Sequence, residues 1–312
     1  MIALDEGDEF YLTLTNVGMV LRPDLFDPHT VHWHGFPEAS AVFDGLPDSG
    51  IAINMLSSLT YYYNVVEPGT YMYHCHAEAT EHMQMGMLGM LYVRPAQNQL
   101  PDGTVLGSGF VHHTGYQYAY NDGDGSTYYD KEVPILVTSF DPDFHDASIN
   151  VQPLPFAMMK DKYGLLNGRG YPDTVDPDPL PPPAEKAGFP SSNLTSQDES
   201  ALVTAVQGEK ILLRISNLSV TKFFTLASAG IPMRVVGKDA KLLRGPDGKD
   251  LTYMTNSITL GGGEAADVIL DTTGIPPGTY FLYTTNLDFL VNNQEIEEGL
   301  GGMLTEIRVS AN

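Results

Sequence analysis

The feature that most restricts the fold of this chain is an internal repeat. Residues 7–18 read GDEFYLTLTNVG and residues 208–219 read GEKILLRISNLS. In both segments apolar and polar side chains alternate, as they do in half-buried strands. A Pro-Gly-Thr-Tyr turn follows later in each half, at 68–71 and 277–280. We therefore predict an all-β chain that contains two copies of one β-sandwich.

The repeat also divides the chain, whose 312 residues suit two domains of ordinary size. We predict a first domain over 1–97, a connection rich in Gly, Asp and Tyr over 98–132, and a second domain over 133–312. A proline-rich excursion at 171–200 is interpreted as a surface loop or a cover for a partner. One short helix is expected near Ala77.

Charge and apolar patterning exclude some partners and predict a location. Asp and Glu number 39 against 16 Lys and Arg, giving a formal net charge of −23. Such a surface repels nucleic acid and anionic membranes, and it favours cationic partners, although solubility alone would also explain it. No apolar run approaches the ~18 residues of a membrane helix. The opening residues do not form a signal peptide, and we expect a periplasmic or extracellular protein whose leader is not part of this sequence.

The chemistry is concentrated in three short motifs. Six of the nine histidines lie between residues 29 and 82, and the single cysteine has a histidine on each side. With one cysteine, no intrachain disulfide can form. The motifs are His29-Thr30-Val31-His32-Trp33-His34-Gly35, His74-Cys75-His76 and His82-Met83-Gln84-Met85-Gly86-Met87.

One set of these side chains fits a blue (type 1) copper site. In a strand, Cys75 faces away from its two neighbours, towards His29, His82 and Met87 if the motifs are adjacent. One thiolate, two imidazoles and a weak axial thioether are the ligands of that site. Zinc also takes Cys and His, but structural zinc prefers several cysteines. The remaining methionines of this region, Met83, Met85 and Met90, are interpreted as core fillers.

The other set contains four histidines. Residues two apart share a strand face, so His32 and His34 point together, and so do His74 and His76. If the two strands are neighbours, the four imidazoles converge on the face opposite to Cys75. Strand alternation therefore predicts a group of four histidines on the other side of the strand from the first site.

These motifs resemble those of the multicopper oxidase and copper nitrite reductase superfamily, which is built from cupredoxin-like Greek-key β-sandwich domains. The resemblance implies that His29, Cys75, His82 and Met87 bind type 1 copper. It also implies that His32, His34, His74 and His76 are half of a type 2/type 3 copper cluster. The segment 165–170, LLNGRG, is similar to the opening of the second, copper-free domain of laccases.

The resemblance also implies a catalytic acid. Asp44-Gly45-Leu46-Pro47 resembles the family's Asp-Gly-x-Pro segment, whose acid assists proton delivery near the cluster. As a turn signal alone, Asp-Gly is common. Asp44 is therefore a candidate catalytic residue on the strength of the resemblance.

The pattern departs from the family in the second half of the chain. A cluster of this family takes eight histidines from two domains, but here no histidine follows residue 145. By the internal repeat, His74, Cys75 and His76 are replaced by Tyr283, Thr284 and Thr285. The other three histidines, His112, His113 and His145, are expected to be ordinary surface residues.

Completion of the cluster would therefore need histidines from elsewhere. We expect a homo-oligomer or hetero-oligomer in which a different subunit, a longer parent polypeptide or a second copy of domain 1 supplies them. The nitrite reductase interpretation is weaker, because it requires a histidine from the neighbour's second domain. His76 directly after Cys75 is also the oxidase pattern.

Three functions follow from these motifs. The favoured one is a laccase-like or metal-ion multicopper oxidase. It would take single electrons from a phenol, metal ion or redox protein at type 1 copper and pass them through His-Cys-His to a cluster that reduces dioxygen. The alternative is a type 1 electron-transfer protein with a vestigial cluster half-site. Copper storage or delivery comes last, because a complete blue site is a poor place from which to release metal.

Overall fold

The computed structural model describes residues 1–19, 26–37, 39–150, 153–181, 197–292 and 299–312. Over these ranges the protein is all-β, as predicted, with two short α-helices, α1 (Ala79–Gln84) and α2 (Pro142–Ile149). The helix expected near Ala77 thus begins two residues later. Most of the proline-rich excursion, residues 182–196, lies outside the described residues.

The first part of the chain folds into one small β-sandwich, here called the N-terminal sandwich. One sheet has the strand order β1-β6-β5-β3, with β1 parallel to β6, and the other is the antiparallel pair β2-β4. Its strands are β1 (Ile2–Asp5), β2 (Glu9–Thr15), β3 (His32–His34), β4 (Ser58–Asn64), β5 (Gly69–His74) and β6 (Leu88–Arg94).

The second part forms a larger C-terminal sandwich, after a connection that carries the hairpin β7 (Gln117–Tyr118) and β8 (Tyr128–Tyr129). One sheet has the order β10-β9-β12-β18-β14-β15, with β16 also paired to β14, and the other has the order β11-β20-β19-β13-β17. Their strands are β9 (Lys131–Phe140), β10 (Tyr163–Leu166), β11 (Val203–Val206), β12 (Lys210–Asn217), β13 (Phe224–Ala229), β14 (Met233–Lys238), β15 (Lys241–Leu242), β16 (Tyr253–Thr255), β17 (Ser257–Leu260), β18 (Ala265–Asp271), β19 (Gly278–Thr284) and β20 (Leu304–Ser310).

The internal repeat corresponds to matching strands. The segments 7–18 and 208–219 contain β2 and β12, and β5 and β19 both begin at the glycine of the Pro-Gly-Thr-Tyr turn. The two-sandwich prediction is therefore confirmed. The domain boundaries at 97 and 133 stay a prediction.

No helix in the described ranges is long and apolar enough to cross a bilayer.

Each sandwich has its own apolar core. In the N-terminal sandwich, Trp33 is fully buried and stacks on Tyr63 with ring centroids 3.7 Å apart. In the C-terminal sandwich the core is mostly aliphatic and comes from both sheets, with Ile211 and Val268 from one and Leu282 and Ile307 from the other. Trp33 lies between His32 and His34, so its burial turns both histidines to the opposite face of β3.

Strand β5 uses its two faces for different purposes. Tyr71 and Tyr73 pack with the N-terminal core, whereas Met72 faces the C-terminal sandwich and packs with Leu136 and Leu218. Thr70, on the Met72 face, donates its hydroxyl to Asp267 Oδ1 at 2.5 Å. Since residues two apart share a face, the face of β5 that bears His74 is the one that meets the C-terminal sandwich.

A buried ionic network fixes the two sandwiches to each other. The Arg214 side chain, on β12, is fully buried; its Nε donates to Glu132 Oε2 at 3.0 Å, and its Nη1 lies 3.4 Å from Asp267 Oδ1. Arg94, at the end of β6, donates to the other oxygen of the same Glu132 through its Nε, at 2.6 Å. Glu132 thus bridges an arginine from each sandwich, and Thr70 joins the same network through Asp267.

Candidate metal centre

The single cysteine lies at the centre of a compact cluster. Cys75 Sγ is 3.2 Å from His82 Nδ1, and His29 Nδ1 is 3.3 Å from the same nitrogen. The ligand atoms of the three residues all lie within 4.8 Å of one another. Cys75 follows β5, His82 is in α1, and His29 pairs with Ile53 in an isolated bridge, so three separate segments meet here.

The electrostatics of this cluster favour a thiolate. Burial alone would raise the pKa of Cys75, but hydrogen bonds from His29 and His82 lower that pKa to about 6. Burial would likewise lower the pKa of His82, but the pairing with Cys75 raises that pKa to about 9. The backbone N–H of Thr30 also points at the sulfur, at 3.4 Å. A thiolate is the form of cysteine that binds a metal.

Met87 is held next to this cluster by its backbone. Its carbonyl accepts the N–H of Cys75 at 3.0 Å, and its own N–H donates to the carbonyl of His82 at 2.8 Å. Met87 is half-buried. These backbone contacts hold Met87, the predicted axial ligand, next to Cys75 and His82.

Sequence reasoning missed Asp27. Its Oδ1 lies 3.0 Å from Nε2 of His82, and its Oδ2 lies 3.6 Å from Nε2 of His29. The Asp27 carboxylate is therefore hydrogen-bonded to the outer nitrogen of His82 and within ion-pair distance of that of His29, which leaves Nδ1 of each ring on the side of Cys75. The sequence gives only a weak indication of Asp27, because an acid two residues before a histidine is common. The approach of Asp27 to His82 depends on the fold.

The four histidines of the second set do converge. Strands β3 and β5 are antiparallel neighbours, with His32 opposite His74 and His34 opposite Met72. The ring of His32 lies 5.3 Å from that of His74 and 5.2 Å from that of His76, measured between centroids. The ligand atoms of His32, His34 and His74 form a group within 4.8 Å. The predicted convergence on one sheet face is therefore present.

Two of these imidazoles have a fixed tautomer. His32 Nδ1 lies 2.7 Å from the carbonyl oxygen of Asp44, and His74 Nδ1 lies 2.8 Å from that of Cys75. A carbonyl only accepts, so Nδ1 carries the proton in each ring and Nε2 presents a lone pair. Burial, helped by the nearby His32 and His34, lowers the pKa of His74 to about 4. His74 is therefore neutral near pH 7, as a metal ligand must be.

Asp44 lies beside the second cluster, as the resemblance implied. Its Oδ1 is 3.2 Å from His32 Nδ1, and its side chain is 24% exposed. The turn that places it depends on Gly45, which has φ 71° and passes so close to β3 that a Cβ would lie 2.2 Å from the carbonyl oxygen of Val31. The Asp44 side chain therefore contacts both His32 and solvent.

The C-terminal sandwich reaches the histidine cluster from one side. Gly263, in the turn before β18, has φ 90°, and a Cβ there would lie 2.9 Å from His34 Nε2. The opposite nitrogen of that ring, Nδ1, lies 3.3 Å from His74 Nε2. His34 thus turns Nε2 to the backbone of the C-terminal sandwich and Nδ1 to the other histidines.

The outer surface next to His82 contains a cleft of about 430 Å³ between α1 and the segment after α2. Glu78 and Glu81 lie on one side of the cleft, and Leu154 and Phe156 lie on the other. Glu81 accepts a hydrogen bond from Ser148 at 2.8 Å, whereas Glu78 is 58% exposed and its Oε2 lies 3.9 Å from His82 Nε2. The cleft combines apolar and acidic character.

Two expectations about individual side chains are wrong. His112 is fully buried rather than on the surface, because its Nδ1 is paired with the hydroxyl of Tyr118 at 3.0 Å within the connection. Met85 is 38% exposed rather than a core filler, because it ends α1 on the solvent side. Met90 is buried, where it packs with Met72 between the sandwiches.

The family comparison covers most of the chain. A family model described as multicopper oxidase matches residues 1–98, and a second one with the same description matches residues 143–309. Multicopper oxidase MCE of Talaromyces pinophilus is 32% identical over 99 residues, which are 31% of this chain and 15% of that protein. Laccase-18 of Oryza sativa subsp. japonica is 24% identical over 268 residues, which are 82% of this chain and 35% of that protein. The chain thus spans about a third or less of these relatives.

Solved structures share the fold. The blue copper oxidase from Nitrosomonas europaea superposes with a TM-score of 0.68 at 20% identity, over 99% of this chain and 75% of that chain. The multicopper oxidase mgLAC gives a TM-score of 0.67 at 20% identity, over 99% and 76%. This likeness confirms the predicted fold of two cupredoxin-like β-sandwiches.

Proposed function

Because this chain belongs to the multicopper oxidase family, whose members bind copper, we propose that it is a copper-dependent oxidoreductase that couples a reducing substrate to dioxygen. The observation that carries the proposal is the adjacency of two imidazole-rich clusters joined through one dipeptide. Cys75 belongs to the first cluster and His74 to the second, and the carbonyl of Cys75 accepts the Nδ1 proton of His74 at 2.8 Å.

The donor sets fit copper. Two nitrogens on one tetrahedral metal, each about 2.0–2.1 Å from it, are about 3.3 Å apart. His29 and His82 present Nδ1 atoms at 3.3 Å, and His34 Nδ1 and His74 Nε2 are separated by the same distance. We propose that His29, Cys75, His82 and Met87 hold type 1 copper. A thiolate with two imidazoles and a distant thioether is typical of that metal.

We propose that His32, His34, His74 and His76 hold copper of the type 2/type 3 cluster. Bound copper would supply one-electron redox chemistry at both places. The chain itself contributes the covalent link between the clusters and keeps His32 and His74 deprotonated at Nε2. Burial of His74 also excludes water from that side of the cluster.

We assign Asp44 the role of proton carrier for this cluster. Its carboxylate is in contact with both His32 and solvent, as reduction of dioxygen to water requires of a proton path. An acid at this position also keeps His32 in the tautomer that presents Nε2. The proposed role is therefore consistent with both the exposure and the hydrogen bonding of Asp44.

The missing half of the cluster must come from another polypeptide or from a longer form of this one, since no histidine follows residue 145. We propose an oligomer for this reason.

The substrate would meet the protein at the cleft beside His82, where a phenol, a metal ion or a redox protein could each be accommodated. Export to the periplasm or the extracellular space stays a prediction.

The test is the copper content of the native assembly, measured together with its EPR spectrum and its oxygen consumption. We expect several coppers for each type 1 site, a type 2 signal, and oxygen uptake when a reducing phenol is added. The variant His32→Ala with His34→Ala should lose oxygen uptake and keep the blue colour. One copper per chain with a type 1 signal alone and no oxygen uptake would overturn the proposal and favour an electron carrier.

A further inference from the structure

We propose that Gln84 is a positioning residue through which the C-terminal sandwich fixes His82 against Cys75 and thereby sets the reduction potential of the proposed type 1 copper site. The inference rests on the proposed function, since it takes the assignment of copper to that site as given. It adds a role for the second sandwich, whose side chains would hold one ligand of a site that lies in the first.

Helix α1 has little that holds it in place by itself. It is six residues long, and Glu78 at its N-cap makes no side-chain capping hydrogen bond. Isolated helices shorter than about 12–15 residues are marginal in water, so the position of α1 must come from its tertiary contacts. Because His82 lies in this helix, the same contacts fix the 3.2 Å between His82 Nδ1 and Cys75 Sγ.

His82 and Gln84 lie on opposite sides of α1. Residues two apart in an α-helix are separated by about 200° around its axis. His82 contacts Cys75 on one side, whereas Gln84, which is 3% exposed, contacts the C-terminal sandwich on the other. A change at Gln84 can therefore reach the copper site only through the position of the helix.

Both ends of the Gln84 amide are bound by the C-terminal sandwich. Its Nε2 donates to Asp161 Oδ1 at 2.6 Å, and its Oε1 accepts the backbone N–H of Asp141 at 3.1 Å. Asp161 and Asp141 are each 4% exposed. A hydrogen bond to an ionised carboxylate is stronger than one between neutral groups, so this side chain fastens α1 to the second sandwich.

Asp161 is held in turn by its own sandwich. Its Oδ2 accepts the hydroxyl of Ser139, in β9, at 2.8 Å and the hydroxyl of Thr221, in the segment after β12. Each of these partners is a donor, as is the Gln84 amide, which suits a group that only accepts when ionised. The Asp161 carboxylate thus connects Gln84 to two separate parts of the C-terminal sandwich.

The first experiment is a redox titration of the copper-loaded Gln84→Met variant, which loses both hydrogen bonds and keeps a side chain of similar length. His82 should then bind copper less tightly, which favours Cu⁺ because Cu⁺ needs fewer ligands than Cu²⁺. We expect the equilibrium constant for reduction to rise by about threefold or more, since loss of a group that orients a ligand commonly changes metal affinity by about 10–100-fold. The blue absorption band and the copper hyperfine splitting in the EPR spectrum should change as well.

The matched control is Gln97→Met, in the segment after β6. Gln97 is 7% exposed, its Nε2 donates to Asp122 Oδ1 at 2.8 Å, and its Oε1 accepts the backbone N–H of Gly123 at 2.8 Å. Both variants lose the same kind of buried contacts, and urea unfolding measures what each loss costs. The potential should change in Gln84→Met and not in Gln97→Met. Equal potentials in the two variants would overturn the inference.

An exchange of the two functional groups tests the contact between residues 84 and 161 directly. Gln84→Glu alone brings two carboxylates together where the 2.6 Å hydrogen bond lies, so it should alter the potential as Gln84→Met does. With Asp161→Asn added, the amide introduced at 161 can donate to the carboxylate at 84, and its oxygen can still accept from Ser139 and Thr221. The double variant should return to the wild-type potential. A double variant as altered as Gln84→Glu would contradict the assigned role.

Hydrogen exchange on the metal-free protein separates this inference from the proposed function. The amide of His82 donates to the carbonyl of Glu78 at 3.1 Å, and the amide of Met87 donates to the carbonyl of His82 at 2.8 Å. Both amides should exchange faster in Gln84→Met than in Gln97→Met. Faster exchange in a protein that forms no blue site would refute the proposed copper site and leave the positioning of His82 supported. Unchanged exchange and potential in a protein with an intact blue site would refute the inference alone.

Discussion

At the residue scale, Asp27 ties the two imidazoles beside Cys75 to one carboxylate. Its oxygens lie 3.0 and 3.6 Å from Nε2 of His82 and His29. A negative charge at that distance favours the more positive oxidation state of a metal bound on the other side of the rings. Asp27 is therefore expected to act as a positioning residue that also sets a redox potential.

The substitution Asp27→Asn should raise the reduction potential of the proposed type 1 copper site. Coulomb's law at a few ångströms in a partly exposed site gives roughly 1–3 kcal/mol for one charge. We expect at least about a tenfold change in the equilibrium constant for reduction, which is about 59 mV for one electron. A redox titration followed by the blue absorption measures it.

The matched control is Glu78→Gln, because Glu78 is largely exposed and its oxygen lies 3.9 Å from the same nitrogen of His82. It should shift the potential less than Asp27→Asn does. An unchanged or lower potential in Asp27→Asn would contradict the assigned role.

The substitution Cys75→Ser should abolish the intense blue absorption and leave the fold intact. The colour depends on a copper–thiolate bond, and a serine hydroxyl at a buried position of similar size disturbs packing little. Absorption and circular dichroism of the copper-loaded variant test both parts. A variant that stays blue would show that Cys75 is not the ligand.

The sequence could predict the residues of both clusters but not those that support them. His29, Cys75 and His82 lie in short motifs whose spacing carries the chemistry. Asp27 and Gly263 act through space, and their contacts depend on loop paths that no periodicity encodes.

At the scale of the element, β5 is used on both faces. Tyr71 and Tyr73 pack into the N-terminal core, while Thr70, Met72 and His74 share the face that meets the C-terminal sandwich. Strand alternation in the sequence predicted that His74 and Cys75 lie on opposite faces. That the histidine face would be covered by the chain's own second sandwich could not be predicted, because strand periodicity does not identify the neighbour.

The substitution Gly263→Ala should weaken metal binding at the histidine cluster by about 10-fold or more, because the new Cβ would lie 2.9 Å from His34 Nε2 and must displace that ring. The blue absorption should not change. Calorimetry with Zn²⁺ and optical spectra of the copper form measure the two effects.

The control for this change is Gly208→Ala. Gly208 also has a positive φ, 100°, but a Cβ there meets nothing within 4 Å. Both variants carry the strain of alanine in that region, so a difference between them reports the contact with His34. Equal effects of the two substitutions on zinc affinity would show that Gly263 does not position His34.

At the scale of the whole molecule, Glu132 and Arg214 join the two sandwiches through a buried network. Arg214 corresponds to Thr13 in the internal repeat, a position that in the first copy pairs with Thr60 on an exposed face. In the structure that face of β12 is covered, so the charge is buried and paired.

The substitution Glu132→Gln should destabilise the protein at pH 7 by about 3 kcal/mol, because it leaves Arg214 buried without that carboxylate. Burial would raise the pKa of Glu132, but Arg214 and Arg94 hold it below its usual 4.5. A lowered pKa stabilises the folded state above pH 4.5, and that stabilisation is lost as the pH falls further. The difference between wild type and variant should therefore shrink below pH 4.5.

Urea unfolding at a series of pH values tests this expectation. Asp143→Asn is the control, since Asp143 pairs with Lys162 at the surface and is 77% exposed. That change should cost less than about 1 kcal/mol. A constant difference between Glu132→Gln and wild type across the acid range would contradict the assignment of a depressed pKa.

The contact between Gly263 and His34 closes one side of the histidine cluster. Approach from the C-terminal sandwich is closed by backbone as soon as the chain has folded. If further histidines complete the cluster, as proposed, they would have to reach it from a side that the backbone at Gly263 does not occupy.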